Sequence, residues 1–231
     1  MNYQLFRSRR KTISLSFDEN LMLVVKAPFF LDAKTIEDFV NSKQDWIERT
    51  RARLKIKKGK VFEEKPELVN GDLLPYLGTM RTLVLTEEVR FNIEIIGAPV
   101  SSKIIMRVPH GTDYEQKRAE LEKWYRKEAK ELLEKKVREY TFMVGSGYKH
   151  VRIKDQRTRW GSCSERGNLN FNWRIIMAPE KVIDYLVVHE VCHLVHMDHS
   201  KEYWELVKKI CPDYKTGKQW LKANAYTLYC I

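Results

Sequence analysis

Long apolar runs are absent from this chain of 231 residues. No stretch approaches the roughly 18 apolar residues that a membrane-spanning helix needs, and Leu21–Val25 is typical of those that occur. The first eleven residues place four basic side chains where a secretory signal peptide requires its apolar region. We therefore expect a cytoplasmic protein with no membrane partner.

Cysteine is also scarce, with four residues in the whole chain. Cys163, Cys192, Cys211 and Cys230 form no C-x-x-C pair, which excludes a zinc ribbon. A disulfide framework is not expected in a chain of this size without a secretion signal. A largely disordered chain would have few hydrophobic residues, whereas 43% of the residues here are hydrophobic. A folded protein with reduced, structural cysteines is the prediction.

Positive charge, in contrast, is abundant and unevenly placed. The chain has 42 Lys and Arg against 31 Asp and Glu, a net charge of +11. Residues 1–60 hold 14 basic and 7 acidic residues, and residues 149–231 hold 14 and 9. Such a surface is either simply solvated or binds an anionic partner, such as nucleic acid or a nucleotide. Charge alone leaves both readings open.

Hydrophobic periodicity predicts a mixed α+β protein. Alternating residues indicate a hairpin over 12–17 and 21–26, and further strands over 81–86, 90–96 and 104–108. Helical spacing follows at about 32–55 and 113–143. We predict a strand-rich N-terminal region with one helix over residues 1–111, and a second domain over residues 112–231.

The chemistry lies in a predicted helix over residues 182–197, which is apolar around most of its circumference and so belongs in a core. Within it His189, Glu190 and His193 form the pattern H-E-x-x-H. Side chains four residues apart share a helix face, so both imidazoles can reach one cation, with Glu190 beside them. The alternative is a pair of hydrogen-bonded core histidines beside a paired glutamate.

His199, ten residues after His189, is the expected third ligand, and Glu202 and Glu205 are weaker alternatives. Three protein ligands with one open position are the catalytic arrangement of zinc. The pattern therefore predicts one Zn²⁺ per chain, with Glu190 as the general base toward the zinc-activated water.

Four further residues are candidates for substrate binding. His196 would lie too far along a continuous helix to share an ion with His189, which makes it a residue of the cleft or of the ligand surroundings. The other three precede the helix and either form salt bridges or bind an anionic group of the substrate. They are Arg157, Arg159 and Arg174.

Segments around the histidines resemble the YgjP-like metallopeptidase-domain family. The resemblance rests on Arg159-Trp160-Gly161-Ser162-Cys163-Ser164, on residues 167–174, and on His189 through Asp198-His199-Ser200. It implies a zincin-like catalytic domain, with His189, His193 and His199 as ligands and Glu190 as base. We expect a small antiparallel sheet and an H-E-x-x-H active-site helix in this domain. The active-site helix and third histidine are also similar to those of the SprT-like and WLM proteases, which act on DNA-linked proteins.

The leading hypothesis is a zinc-dependent metallopeptidase acting on a peptide or protein. One alternative is a metal-dependent nucleotide pyrophosphatase, since some members of the family are described so and arginines lie near the motif. Another is a DNA-associated protease or nucleic-acid-binding protein, which the basic surface would serve. A non-catalytic module with a structural metal is the fourth, and the presence of Glu190 weakens it.

Overall fold

The computed structural model describes residues 3–18, 21–48, 50–51, 66–98, 101–156 and 158–231, and its architecture is mixed α+β. Two compact units are present, Met1–Glu63 and Glu64–Ile231. The predicted division at residue 111 falls inside the second unit. No helix in the described ranges is long and apolar enough to cross a membrane.

The first unit contains a three-stranded sheet with its longest apolar strand in the centre. Its strands are β1 (Tyr3–Ser8), β2 (Ser14–Phe17) and β3 (Leu23–Pro28). β3 pairs parallel with β1 and antiparallel with β2, which confirms the predicted hairpin. β1 is a strand that the sequence pattern does not predict.

Helix α1 (Ala33–Ser42) packs its apolar face, with Ile36 and Val40 fully buried, into the core of this unit. The Asp32 carboxylate caps it by accepting a hydrogen bond from the Thr35 N–H at 2.8 Å. The predicted helix to about residue 55 is interrupted by a turn at Lys43, and helical residues 44–48 follow. The last part of the predicted helix, residues 52–55, lies outside the described residues.

The second unit begins with a four-stranded sheet in the order β4-β5-β7-β6. β5 and β7 are parallel neighbours, and the other pairs are antiparallel. Three of these strands confirm the sequence prediction, and β4 was not predicted. The strands are β4 (Leu73–Tyr76), β5 (Thr79–Glu87), β6 (Asn92–Ile96) and β7 (Lys103–Val108).

Helix α2 (Tyr114–Val144) follows, close to its predicted bounds. A capping box starts it: the Asp113 side chain accepts from the Gln116 N–H, and the Gln116 side chain accepts from the Asp113 N–H. It ends where Gly145 takes a left-handed conformation, φ 67°. Its buried side chains belong to the same core as those of β5 and β7.

A second, smaller sheet lies after α2, in the order β8-β10-β9. β8 (His150–Lys154) is parallel to β10 (Asn168–Asn172), and β9 (Gly161–Cys163) is antiparallel to it. The expected antiparallel sheet is therefore mixed, because the chain crosses from β8 to the far edge before β9 and β10 form a hairpin. β9 is left as an edge strand.

A 3-10 turn at Trp173–Met177 leads from this sheet into α3 (Glu180–Cys192), which is almost entirely buried. Helices α4 (Lys201–Ile210) and α5 (Tyr214–Asn224) and a second 3-10 turn, Ala225–Tyr229, complete the fold. All four cysteines are free thiols.

The turn between β4 and β5 is bonded to the segment that precedes α3. Leu77 N–H donates to the Ile176 carbonyl at 2.9 Å, and Gly78 N–H donates to that of Met177 at 3.1 Å. A Cβ at Gly78 would stand 2.7 Å from Cα of Pro179, so this approach requires glycine. These contacts explain why the strands before residue 111 belong to the same unit as α3.

Candidate metal centre

The end of α3 sets the position of the histidines. The helix stops at Cys192 with His193 as its C-cap, whereas the periodicity predicts a helix to residue 197. The chain turns instead, with the Leu194 N–H bonded to the Val191 carbonyl and the His196 N–H to that of Cys192. This early turn returns the chain toward the helix.

The start of α4 then holds His199 in place. The Asp198 carboxylate accepts from the Ser200 N–H at 3.1 Å, and Ser200 Oγ accepts from the Tyr203 N–H at 3.3 Å. The His199 ring stacks on Trp204, with ring centroids 5.6 Å apart and planes at 24°. The exposed His199 is thereby presented to the two histidines of α3.

His189, His193 and His199 meet in one cluster. Each offers a ring nitrogen, and these three atoms lie within 4.8 Å of one another. Nε2 of His189 is 3.4 Å from Nε2 of His199. Within the described ranges, no other group of three histidine, cysteine or acidic residues is gathered in this way.

Hydrogen bonds assign the tautomers of the two helix histidines. Nδ1 of His193 lies 3.0 Å from the His196 carbonyl oxygen, which can only accept, so Nδ1 carries the proton. Nδ1 of His189 lies 2.6 Å from the Tyr203 hydroxyl, which itself donates to the His189 carbonyl at 2.9 Å. That hydroxyl accepts from Nδ1–H. Both Nε2 atoms therefore keep a lone pair for a cation.

Burial keeps these imidazoles neutral. It lowers the pKa of His189 to about 3, with smaller contributions from the charges of His193, His199 and Lys218. It also lowers the pKa of His193. Neutral imidazole is the form that binds a metal. The histidine nitrogens therefore fit a divalent cation that prefers nitrogen ligands, such as Zn²⁺.

Glu190 lies beside this cluster with only 4% of its surface exposed. Gly161 of β9 faces its carboxylate so closely that a Cβ there would stand 2.4 Å from Oε1. Burial raises the pKa of Glu190 to about 8, against the opposing effects of the Arg159 charge and the Cys163 N–H bond. The carboxylate is thus buried, held in place by the packing of β9, and adjacent to the histidines.

An open cleft of about 310 Å³ contains these groups. The edge strand β9 forms one wall and α3 the other. Its lining residues are Arg159, Gly161, Ser162, Cys163, His189, Glu190, His193, Met197 and His199.

The four predicted substrate-binding residues occupy different places. Arg159 is exposed and lines the cleft. Arg174 does not line it, because its side chain is 10% exposed, paired with Asp155 and stacked 4.2 Å from the Trp173 ring centroid. His196 contributes its backbone carbonyl to His193, and its imidazole is not part of the lining. Arg157 lies outside the described residues.

The sequence pattern assigned no role to Tyr203. Tyr203 contacts His189 only because the chain turns after Cys192, and the turn has no strong sequence signal. Ser200, a typical N-cap, is the one hint, since it places Tyr203 in the first turn of α4.

Fold and site together define an α+β protein with a three-histidine candidate metal centre next to a buried carboxylate. The chain belongs to the YgjP-like family: a family model described as "YgjP-like, metallopeptidase domain" matches residues 11–224. This confirms the resemblance seen in the sequence and makes a peptide or protein the substrate class that the family suggests.

Two solved structures are similar to part of the chain. The metallopeptidase zymogen abylysin of Pyrococcus abyssi is 20% identical, with a TM-score of 0.37, covering 39% of this chain and 93% of its own. The metallopeptidase zymogen jannalysin of Methanocaldococcus jannaschii is 17% identical, with a TM-score of 0.34, covering 39% and 96%. No curated protein sequence matches the chain.

Proposed function

We propose that this chain is a zinc-dependent metallopeptidase with a zincin-like catalytic domain. His189, His193 and His199 would hold one Zn²⁺, and Glu190 would act as the general base. The observation that carries the proposal is the gathering of three imidazole nitrogens within 4.8 Å, beside a buried carboxylate on the same helix. Three imidazole ligands with an open side match the catalytic rather than the structural type of zinc site.

A bound Zn²⁺ would supply Lewis acidity, lowering the pKa of a water molecule toward neutrality and polarising the scissile carbonyl. Glu190 would take the proton from the attacking water and deliver it to the leaving amide nitrogen. Burial raises its pKa, which makes the carboxylate a stronger base and stabilises the proton that it holds between these two transfers. Tyr203 and the His196 carbonyl would keep the ligand rings oriented.

The edge strand β9 supports a peptide as the substrate. Two backbone hydrogen bonds to β10 flank the strand: the Asn172 N–H donates to the Trp160 carbonyl, and the Ser164 N–H donates to the Asn168 carbonyl. By the alternation of an antiparallel ladder, the N–H and C=O groups of Gly161 and Cys163 point away from β10. Gly161 and Cys163 both line the cleft, so this open side runs along it. An extended peptide can pair with such an edge.

Arg159 is the arginine that the described part of the cleft offers to a substrate. Its guanidinium would bind a carbonyl or anionic group of the peptide near Glu190. Arg174, the other arginine considered for an anionic group of the substrate, is engaged by Asp155 and does not line the cleft. Nucleotides are therefore kept as the comparison substrate in the test below.

The test uses the zinc-loaded full chain, incubated with an unfolded protein and, separately, with nucleoside triphosphates. We expect peptide-bond cleavage, detected by mass spectrometry, and no pyrophosphate release. Glu190→Gln should retain zinc and lose turnover by about 10²–10⁴-fold, the contribution typical of a general base. Pyrophosphate release without peptide cleavage would overturn the peptidase proposal. Loss of zinc from Glu190→Gln would make Glu190 a ligand or an essential structural support of the site.

A further inference from the structure

An open pocket, called the lobe below, adjoins the metal cleft on the side of His193. Its volume is about 520 Å³, larger than the 310 Å³ of the cleft itself. His193 and Met197 line both. The lobe and the metal cleft therefore belong to one groove. All three candidate metal ligands line its smaller part, the cleft.

Two loops held together by backbone hydrogen bonds form the walls of this lobe. One is the β9–β10 turn, residues 164–167, in which the Gly167 N–H donates to the Ser164 carbonyl at 2.8 Å. The other is the loop at residues 147–149, whose Lys149 N–H donates to the Gly167 carbonyl at 2.8 Å. The lobe is therefore a formed part of the fold.

The lobe continues the line of the edge strand. Ser164, which lines it, directly follows Cys163 at the end of β9, and Cys163 lines the metal cleft. A peptide lying along β9 across the cleft would reach the lobe within a few residues, since a strand advances about 3.3 Å per residue. A substrate group close to the scissile bond would thus enter it.

Apolar side chains line part of the lobe, and a basic residue stands on each of the two loops that form its walls. Tyr148, Leu194 and Met197 supply the apolar surface. Lys149 stands on one loop and Arg166 on the other, both exposed, with Glu165 as the one acidic side chain in the described lining. Within the described residues, neither cation has an ion-pair partner.

We propose that this lobe is a subsite that binds a carboxylate of the peptide substrate through Lys149 and Arg166. The inference rests on the proposed peptidase function and adds its specificity. The carboxylate would belong either to an acidic side chain near the scissile bond or to the peptide's C-terminus. Ammonium and guanidinium groups bind carboxylates by charge-assisted hydrogen bonds, while the apolar residues pack on the methylenes beside them.

The experiment measures initial cleavage rates of peptides that differ in one group. Glu is moved through the positions flanking the scissile bond and compared with Gln and Lys, and each peptide is made with a free and an amidated C-terminus. We expect one position, or the free C-terminus, to raise kcat/KM by about tenfold, mainly through KM. Which of the two gives the increase identifies the source of the carboxylate.

A charge-reversed enzyme supplies the second arm. Lys149→Glu combined with Arg166→Glu should abolish the preference for the carboxylate and favour Lys at the same position. The matched control, Lys208→Glu combined with Lys209→Glu, carries the same change of charge on an exposed face of α4 and should keep the wild-type preference. Zinc content and circular dichroism verify that both variants are folded.

Three outcomes are distinguishable. Carboxylate preference in the wild type and control, lost in the Lys149/Arg166 variant, supports the subsite. Cleavage that is indifferent to the carboxylate, or a preference that survives charge reversal, overturns the subsite and leaves the peptidase proposal standing. If no peptide in the set is cleaved by the zinc-loaded chain, the peptidase proposal fails and the subsite fails with it.

Discussion

The Tyr203 hydroxyl accepts from Nδ1 of His189 at 2.6 Å and donates to the same residue's carbonyl at 2.9 Å. The Tyr203 ring also stacks on His193, with centroids 4.6 Å apart and planes at 25°. One fully buried side chain thus orients both helix histidines, the first by hydrogen bonds and the second by packing.

Tyr203→Phe should weaken zinc binding by about 10–100-fold, the cost of losing a hydrogen-bond partner of a ligand. The phenyl ring keeps the packing, so the fold should survive. Competition with a chelator of known affinity measures the change. The matched control is Tyr125→Phe, which also removes a buried hydroxyl bonded to a carbonyl, that of Pro75 at 2.7 Å. That control should lose stability but not zinc affinity; equal losses of affinity in both variants would contradict the role of Tyr203.

Gly161→Ala should separate catalysis from metal binding. The added methyl would stand 2.4 Å from Oε1 and 2.7 Å from Cγ of Glu190, so the carboxylate must move. We expect kcat to fall by about tenfold or more, because misplacing a reacting group by about 1 Å is costly. Zinc content, measured by atomic absorption on the same sample, should stay at one per chain. A fully active variant would show that the position of Glu190 beside β9 is unimportant.

Zinc should stabilise the folded chain, because a ligand that binds only the native state raises the free energy of unfolding by about 2.7 kcal/mol at 100 times its Kd. The thermal midpoint should therefore rise with added Zn²⁺ and fall on chelation. His199→Ala should largely remove this response. Glu202→Gln and Glu205→Gln should keep it, since neither carboxylate belongs to the cluster of ligand atoms. A response lost in either glutamate variant would instead assign that residue as a ligand.

Much of the candidate site could be predicted from local spacing. His189 and His193 share a helix face by geometry alone, and Glu190 follows from its place between them. The end of the helix at Cys192 could not be predicted in the same way, because Leu194 and Val195 continue the apolar periodicity. His199 reaches His189 and His193 only because the helix ends at Cys192.

Contacts between distant segments account for what the sequence pattern missed. Arg174 has the same local character as Arg159, yet only the folded chain places Asp155 against it and Trp173 beneath it. The grouping of the strands before residue 111 with α3 also depends on such contacts. No change of composition marks the bonds by which Leu77 and Gly78 attach the middle strands to the segment before α3.

The two arginines should give opposite results. Arg174→Gln removes the partner of Asp155 and should lower the free energy of unfolding by about 1.5–3 kcal/mol, the range for a hydrogen bond to a charged group. Its activity per folded molecule should be unchanged. Arg159→Gln, at an exposed position of the cleft, should leave stability within about 0.5 kcal/mol and reduce kcat/KM by about tenfold. Urea unfolding and initial rates on one peptide measure both quantities. If Arg174→Gln loses activity at unchanged stability, Arg174 binds substrate, and its pairing with Asp155 is not its role.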